Sequence, residues 1–156
     1  MTRTWIIRPA TVDDADTVID FNRRLAQETE GLLLSESVLR PGVLRALRQP
    51  EIGPYYLAVD GAKIAGQCMV TFEWSDWRNG WLWWFQSVYV DSEFRGQGVF
   101  RALFDYVAKL ARDDREAAGL RLYVEQNNHI AQQTYRALGM KPSGHLVYEL
   151  DGFDGG

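Results

Sequence analysis

The chain has 156 residues, of which 46% are hydrophobic and 24% charged, and its formal net charge is −4. A chain of that length buries most of its unfolded surface in one core, so a single domain over residues 1–156 is expected. The composition excludes disordered and collagen-like chains, and basic residues scattered among acidic ones argue against a nucleic-acid partner.

Cys68 is the single cysteine and lies in the apolar stretch Gln67-Cys68-Met69-Val70. An internal disulfide is therefore excluded, as is a thiolate metal cluster, and a buried inert thiol is expected. The opening Met-Thr-Arg-Thr-Trp-Ile-Ile-Arg-Pro carries only a pair of adjacent aliphatic residues. It reads as neither a signal peptide nor a membrane span, so a soluble cytoplasmic protein is expected.

In chain order, Trp5 to Arg8 reads as a short strand stopped by Pro9, with Thr11 as N-cap and Asp13 and Asp14 in a first helical turn. The spacing predicts a helix from about Val12 to Gln27. A break at Gly31 and Leu32-Leu33-Leu34 then precedes a helical region from Glu36 to Arg48 that Pro41 and Gly42 interrupt. Strands follow from Tyr55 to Val59 and from Lys63 to about Phe72, joined at Asp60-Gly61. Arg78-Asn79-Gly80 turns the chain into a strand from Trp81 to Val90, completing an antiparallel meander.

Val99, Leu103, Phe104, Val107, Leu110 and Ala111 recur at helical spacing, which predicts a helix to about Ala117 packed on a sheet. A strand from Leu120 to Glu125, a short helix from Ile130 to Leu138 closed by Gly139, and a strand from Leu146 to Leu150 complete the pattern. This order calls for an α/β fold of mixed α+β type. Its central sheet is mixed and mostly antiparallel, has helices on both faces, and contains a right-handed crossover from Val90 to Leu120.

The most informative segment is Val88-Tyr89-Val90-Asp91-Ser92-Glu93-Phe94-Arg95-Gly96-Gln97-Gly98-Val99-Phe100-Arg101. A strand there passes through a glycine-rich turn into a helix, and such a turn presents backbone N–H groups to a phosphate or pyrophosphate. A plain turn that needs glycine only for its geometry is the alternative. No Gly-Lys-Ser/Thr follows, and the glycine spacing differs from the dinucleotide fingerprint.

The segment resembles the coenzyme motif of the GNAT acyltransferase superfamily: Arg or Gln, two residues, Gly, one residue, then Gly or Ala. Arg95 and Gly98 match, and Gly96 is the extra glycine many members carry. Phe100 stands where the family usually has Gly or Ala, so its ring must point away from the ligand or line the pantetheine channel. Asn128-His129-Ile130-Ala131-Gln132-Gln133-Thr134-Tyr135-Arg136-Ala137-Leu138-Gly139-Met140 is similar to the second signature of the family.

The resemblance implies a GNAT acyltransferase fold and an N-acetyltransferase that moves an acetyl group from acetyl-CoA to a primary amine by direct attack. Coenzyme A would lie in a cleft where the strands ending near Val90 and Glu125 splay. Backbone groups of Val88, Tyr89 and Val90 would pair with the pantetheine arm, and amides of Gly96, Gln97, Gly98, Val99, Phe100 and Arg101 would hold the pyrophosphate. Asn128 would contact the pantetheine region, and Tyr135 would serve as general acid near the sulfur.

An alkylammonium has a reference pKa of about 10.4, so a base must help deprotonate the acceptor at neutral pH. Polyamine-acetylating members place a glutamate nine residues before the motif arginine, but that position here is Gln86, and an amide cannot take the proton. Glu73, Asp76 and Glu125 are the candidates, with Glu28 or Glu30 within reach from the first helical region. Trp74, Trp77, Trp81, Trp83 and Trp84 crowd one hairpin. They serve the core and hairpin end, with Trp83 and Trp84 on opposite faces, or form a wall for a cationic amine. His129 and His145 do not suggest a metal site. A monomer or homodimer is expected, and the rival reading is a catalytically inactive coenzyme A binding or regulatory module.

Overall fold

The computed structural model describes residues 3–153. The chain divides into two compact units between residues 123 and 124.

The first unit is built on a five-stranded sheet of strands β1 (Ile6–Pro9), β2 (Tyr55–Asp60), β3 (Lys63–Ser75), β4 (Gly80–Val90) and β5 (Ala117–Leu122), in that spatial order. The first four pair antiparallel and β4 with β5 parallel, which is the mixed, mostly antiparallel sheet expected. Gly61 and Asn79 take positive φ, 59° and 47°, at the two hairpin turns, as the Asp-Gly and Asn-Gly pairs require.

Helices α1 (Ala15–Glu30) and α2 (Glu36–Arg48) cover one face. Val18, Ile19, Val43, Ala46 and Leu47 pack there with Tyr55, Leu57 and Val59, alternate residues of β2. Helix α3 (Val99–Asp113) covers the other face: Tyr56 of β2 meets Tyr106 at 5.4 Å and Phe85 of β4 stacks on Phe104 at 5.5 Å. Pro41 and Gly42 do not interrupt α2. Pro41 lacks one helical hydrogen bond, at a cost of about 3 kcal/mol, but Val43, Ala46 and Leu47 beyond it are buried and hold the helix in register.

The long helix ends four residues earlier than its apolar pattern predicts, at Asp113, because Asp114 adopts an extended conformation. The Trp81 amide then donates to the Glu116 carbonyl at 2.7 Å, drawing the next residues into the sheet. As a result β5 runs from Ala117 to Leu122 rather than from Leu120 to Glu125.

The second unit contains α4 (His129–Ala137), capped by Asn128, whose Oδ1 accepts from the Ala131 amide at 3.1 Å. Gly139 follows with φ 90°, closing the helix as expected. The expected strand from Leu146 to Leu150 is not formed. Its apolar alternation suits a strand, but a strand exists only through ladder bonds, and among the described residues no backbone–backbone bond involves this segment.

Candidate active site

The β4–β5 ladder runs from Trp81↔Ala117 to Phe85↔Leu122, where β5 ends while β4 continues to Val90. From Gln86 onward β4 stays paired with β3 on one side, and its other edge has left β5. Such an edge offers main-chain donors and acceptors to an extended ligand.

The parting begins at a bulge. Met69 faces Gln86 and Gln67 faces Tyr89, so Cys68 alone stands opposite Ser87 and Val88. Ser87 takes φ 49°, a left-handed conformation that costs a non-glycine residue about 1–3 kcal/mol. Sequence reasoning missed this site, because serine inside a strand carries no signal of positive φ.

At its far end β4 enters the glycine turn. The Asp91 carboxylate accepts from the Glu93 amide at 3.0 Å and caps a short 3-10 turn over Ser92–Phe94. Gly96 and Gly98 have φ of 75° and 79°, and a Cβ on either would meet no heavy atom within 4 Å. Both glycines are therefore needed for backbone conformation, and the space beside them is open. Gly98 caps α3, and the first turn of any helix leaves its amides without intrahelical acceptors, a natural seat for a phosphate. Turn and open β4 edge together fit an elongated ligand with a pyrophosphate at one end.

The turn is tied down on both sides. The Trp5 indole donates to the Gln97 carbonyl at 2.9 Å, and the Arg95 Nε donates to the Val90 carbonyl at 3.0 Å. Arg101 pairs with Asp105 one helical turn away, at 3.1 Å. The Phe100 ring faces Phe85 and Phe104, with centroids 6.2 and 6.1 Å away, so it joins the aromatic packing between α3 and the sheet. Tyr89 likewise uses its ring for packing, 5.2 Å from Phe21, and stands opposite Gln67 in the β3–β4 ladder.

On the α1 and α2 face, Glu73 Oε1 accepts from the Trp84 indole at 3.2 Å and lies 3.4 Å from Arg121 Nη1. Trp84 stacks on Tyr123 at 4.6 Å, and the Arg121 guanidinium lies 5.8 Å from the Trp84 ring centre. Arg121 and Tyr123 were not singled out from the sequence. Their alternation in Leu120-Arg121-Leu122-Tyr123 puts them on one face, but only the β4–β5 register brings them to Trp84. Trp83 points the other way, edge-on to Phe72 at 5.2 Å, and Trp74 meets Trp81 at 5.1 Å.

The carboxylate candidates differ in placement. Glu73 faces Leu82 across the hairpin, four residues along β4 from Gln86, or roughly 13 Å of strand. It is therefore not beside the position where the related glutamate stands. Asp76 accepts from the Trp77 amide in the hairpin turn. Glu28 pairs with Arg95 at 3.0 Å. Gln86 donates to the Thr71 hydroxyl at 3.3 Å.

Within the second unit, Glu125 Oε2 accepts from the Asn127 amide at 2.7 Å, so both Glu125 and Asn128 cap the chain entering α4. Burial pushes the Tyr135 phenol above its ordinary value, which keeps it protonated at neutral pH. Burial also pushes the Cys68 thiol up to about 12, the inert thiol expected. Among the described residues no cluster of His, Cys, Asp or Glu could hold a metal ion, and no helix is long and apolar enough to cross a membrane.

A mixed sheet whose parallel pair at one edge parts beside a glycine turn and helix N-terminus is the architecture of an acyltransferase of the coenzyme A class. Residues 20–140 match the model of the Acetyltransferase (GNAT) family, and the chain belongs to that family. It is an acetyl-CoA-dependent acetyltransferase in the general sense of the family.

The chain is 31% identical over 147 residues to thialysine N-epsilon-acetyltransferase of Bos taurus, an alignment covering 86% of this chain and 82% of that one. It also resembles the crystal structure of a possible acetyltransferase from Clostridium difficile 630. There the TM-score is 0.89 at 42% identity, over 97% of this chain and 99% of that one. A predicted acetyltransferase from Clostridium acetobutylicum, solved with acetyl-CoA, shares the fold with a TM-score of 0.75 at 15% identity, over 95% and 96% of the two chains.

Proposed function

We propose that the chain acetylates a primary amine by direct attack on acetyl-CoA, with Tyr135 as general acid toward the departing sulfur. The observation that carries this reading is the open edge of β4 from Gln86 to Val90 leading into a turn whose glycines face open space. In it, backbone groups of Val88, Tyr89 and Val90 bind the pantetheine arm as an added strand. Amides from Gly96 to Arg101 seat the pyrophosphate, and Asn128 holds the pantetheine region. Acetyl-CoA supplies the activated acyl group; the protein supplies orientation, a proton for the thiolate and a route for the acceptor's proton.

With Gln86 unable to act as base, the acceptor proton leaves through water to a carboxylate, for which Glu125 is the candidate. Glu73, held by Trp84 and Arg121, serves at longer range. Beside the stacked rings of Trp84 and Tyr123 it attracts a cationic acceptor. The name of the cattle relative points to the ε-nitrogen of a lysine analogue, and an alkylamine of that class is the acceptor favoured here. The protein acts as a monomer or homodimer in the cytoplasm.

A thiol-release assay with acetyl-CoA against a panel of amines tests the proposal. Turnover with lysine-like or polyamine-like acceptors is expected. Tight coenzyme binding without thiol release against any amine would instead establish an inactive coenzyme-binding module, a reading that Gln86 favours.

A further inference from the structure

A buried polar chain reaches the β4 bulge from behind. Gln67 is fully buried and Asn22 nearly so. Gln67 Nε2 donates to the Ser87 carbonyl at 3.1 Å and to Asn22 Oδ1 at 3.4 Å, and Asn22 Nδ2 donates to the Tyr55 hydroxyl at 3.4 Å. Gln67 Oε1 is buried with no partner.

The arrangement is costly twice over. A polar side chain is sunk in the core with one acceptor unmet, and a serine holds the left-handed conformation that glycine takes freely. A core position between β2 and β4 selected for packing alone would carry an aliphatic residue there. The two residues that carry these costs meet at the Ser87 carbonyl, which accepts from Gln67 Nε2. The amide orientation of Gln67 follows from its neighbours, since the Ser87 and Asn22 oxygens are both acceptors and only the NH2 end can face them.

We infer that Gln67 is a positioning residue, braced by Asn22 and Tyr55, which fixes the Ser87 peptide and so aims the backbone groups of Val88 at the pantetheine arm of the coenzyme. Rotation of the Ser87–Val88 peptide turns the Val88 N–H together with the Ser87 carbonyl, because the two belong to one planar unit. Holding the carbonyl inward by Gln67 therefore holds the N–H in the opposite sense. The inference rests on the coenzyme reading of the β4 edge given above.

The test uses Gln67→Met, which keeps length and apolar volume and removes the donor. Calorimetry compares acetyl-CoA with 3'-phosphoadenosine 5'-diphosphate, the nucleotide and pyrophosphate end of the coenzyme, which needs the glycine turn and not the bulge. Acetyl-CoA should bind about tenfold or more weakly, the equivalent of about 1.4 kcal/mol, while the nucleotide keeps its affinity. Adding Ser87→Gly should recover most of the loss, because glycine adopts the bulge conformation unaided.

Unchanged acetyl-CoA affinity overturns the inference, as does an equal loss for both ligands or a loss that Ser87→Gly does not recover. If Gln67→Met alone fails to fold, the double variant decides: folded and binding acetyl-CoA supports the role, unfolded overturns it. A wild-type protein that binds no acetyl-CoA removes the coenzyme reading itself, a result distinct from all of these.

Discussion

Arg95 donates from Nη2 to both carboxylate oxygens of Glu28, at 3.2 and 3.0 Å, tying the glycine turn to the end of α1. Its Nε holds the Val90 carbonyl, and its guanidinium lies 5.5 Å from the Tyr89 ring centre. The motif arginine is thus bound into the protein and braces the turn, in keeping with the proposed seating of the pyrophosphate on backbone amides. Arg95→Ala should weaken acetyl-CoA binding about fivefold, the worth of one hydrogen bond. Calorimetry at low and high salt checks this. A loss of about a hundredfold that collapses at high salt would mean that the guanidinium touches the phosphates directly. Glu28→Ala should cost less than about 1 kcal/mol of stability, because both partners are about half exposed and water screens them.

Asp14 contributes to acid sensitivity. Arg8 donates to both of its carboxylate oxygens, at 2.8 and 2.9 Å, and the Thr11 amide donates to Oδ2 at 2.8 Å. The Arg8 hydrogen bonds hold the Asp14 carboxyl below its usual range against the opposing effect of burial, and the raised Arg8 value reflects the same contact. A carboxylate whose folded value is depressed stabilises fully above its unfolded value near 4, and that contribution is lost as pH falls through the folded value. Asp14→Ala should cost about 1–3 kcal/mol at pH 7. The gap between the wild-type and variant denaturation curves should then close as pH drops below about 4. A gap of constant size down to pH 2 would contradict the assignment.

Much of this architecture is legible in the sequence because periodicity and turn chemistry act locally. The helical repeat from Val99 to Ala111 and the Asp-Gly and Asn-Gly turns each place an element without reference to anything distant. The end of α3 is not legible, since Arg112 to Ala117 continues a helix-compatible composition and the decision comes from the Trp81 amide drawing on the Glu116 carbonyl. The glycine turn is visible as a motif, whereas the Ser87 bulge is invisible because its conformation is imposed by Gln67, twenty residues away. Glu73 is visible as a carboxylate near tryptophans. That Arg121 and Tyr123 share its face depends on strand register, which no local pattern encodes.

Two glycines should respond to alanine with opposite signs. A Cβ on Gly66 would stand 2.7 Å from Val99 Cγ1 and 2.9 Å from the Tyr89 carbonyl, while one on Gly42, inside α2, meets nothing within 4 Å. Gly66→Ala forces the first residue of α3 away from the sheet and should cost about 1–3 kcal/mol, as overpacking does. Gly42→Ala should stabilise by about 0.5–1 kcal/mol through helix propensity. Thermal melts of the two variants check both signs, and a Gly66→Ala protein as stable as the parent would mean that the β3–α3 contact yields easily.

Tyr135 provides the closing test of the chemistry. Burial raises its phenol pKa, so the proton stays in place across the neutral range, as the proposed general acid requires. Tyr135→Phe should lower the maximal rate by about ten- to a thousand-fold, the contribution of one general acid or somewhat less. The ring remains, so the affinity for acetyl-CoA should barely move and the loss should fall on the chemical step. The wild-type rate should show no decline due to this group between about pH 7 and 9, because a tyrosine above its reference value of about 10 has not begun to ionise there. A melting curve must accompany the kinetics, since the hydroxyl can also contribute about 1 kcal/mol through hydrogen bonding. A well-folded Tyr135→Phe protein with wild-type turnover, measured where chemistry limits the rate, would assign the tyrosine to packing and leave the proton to water.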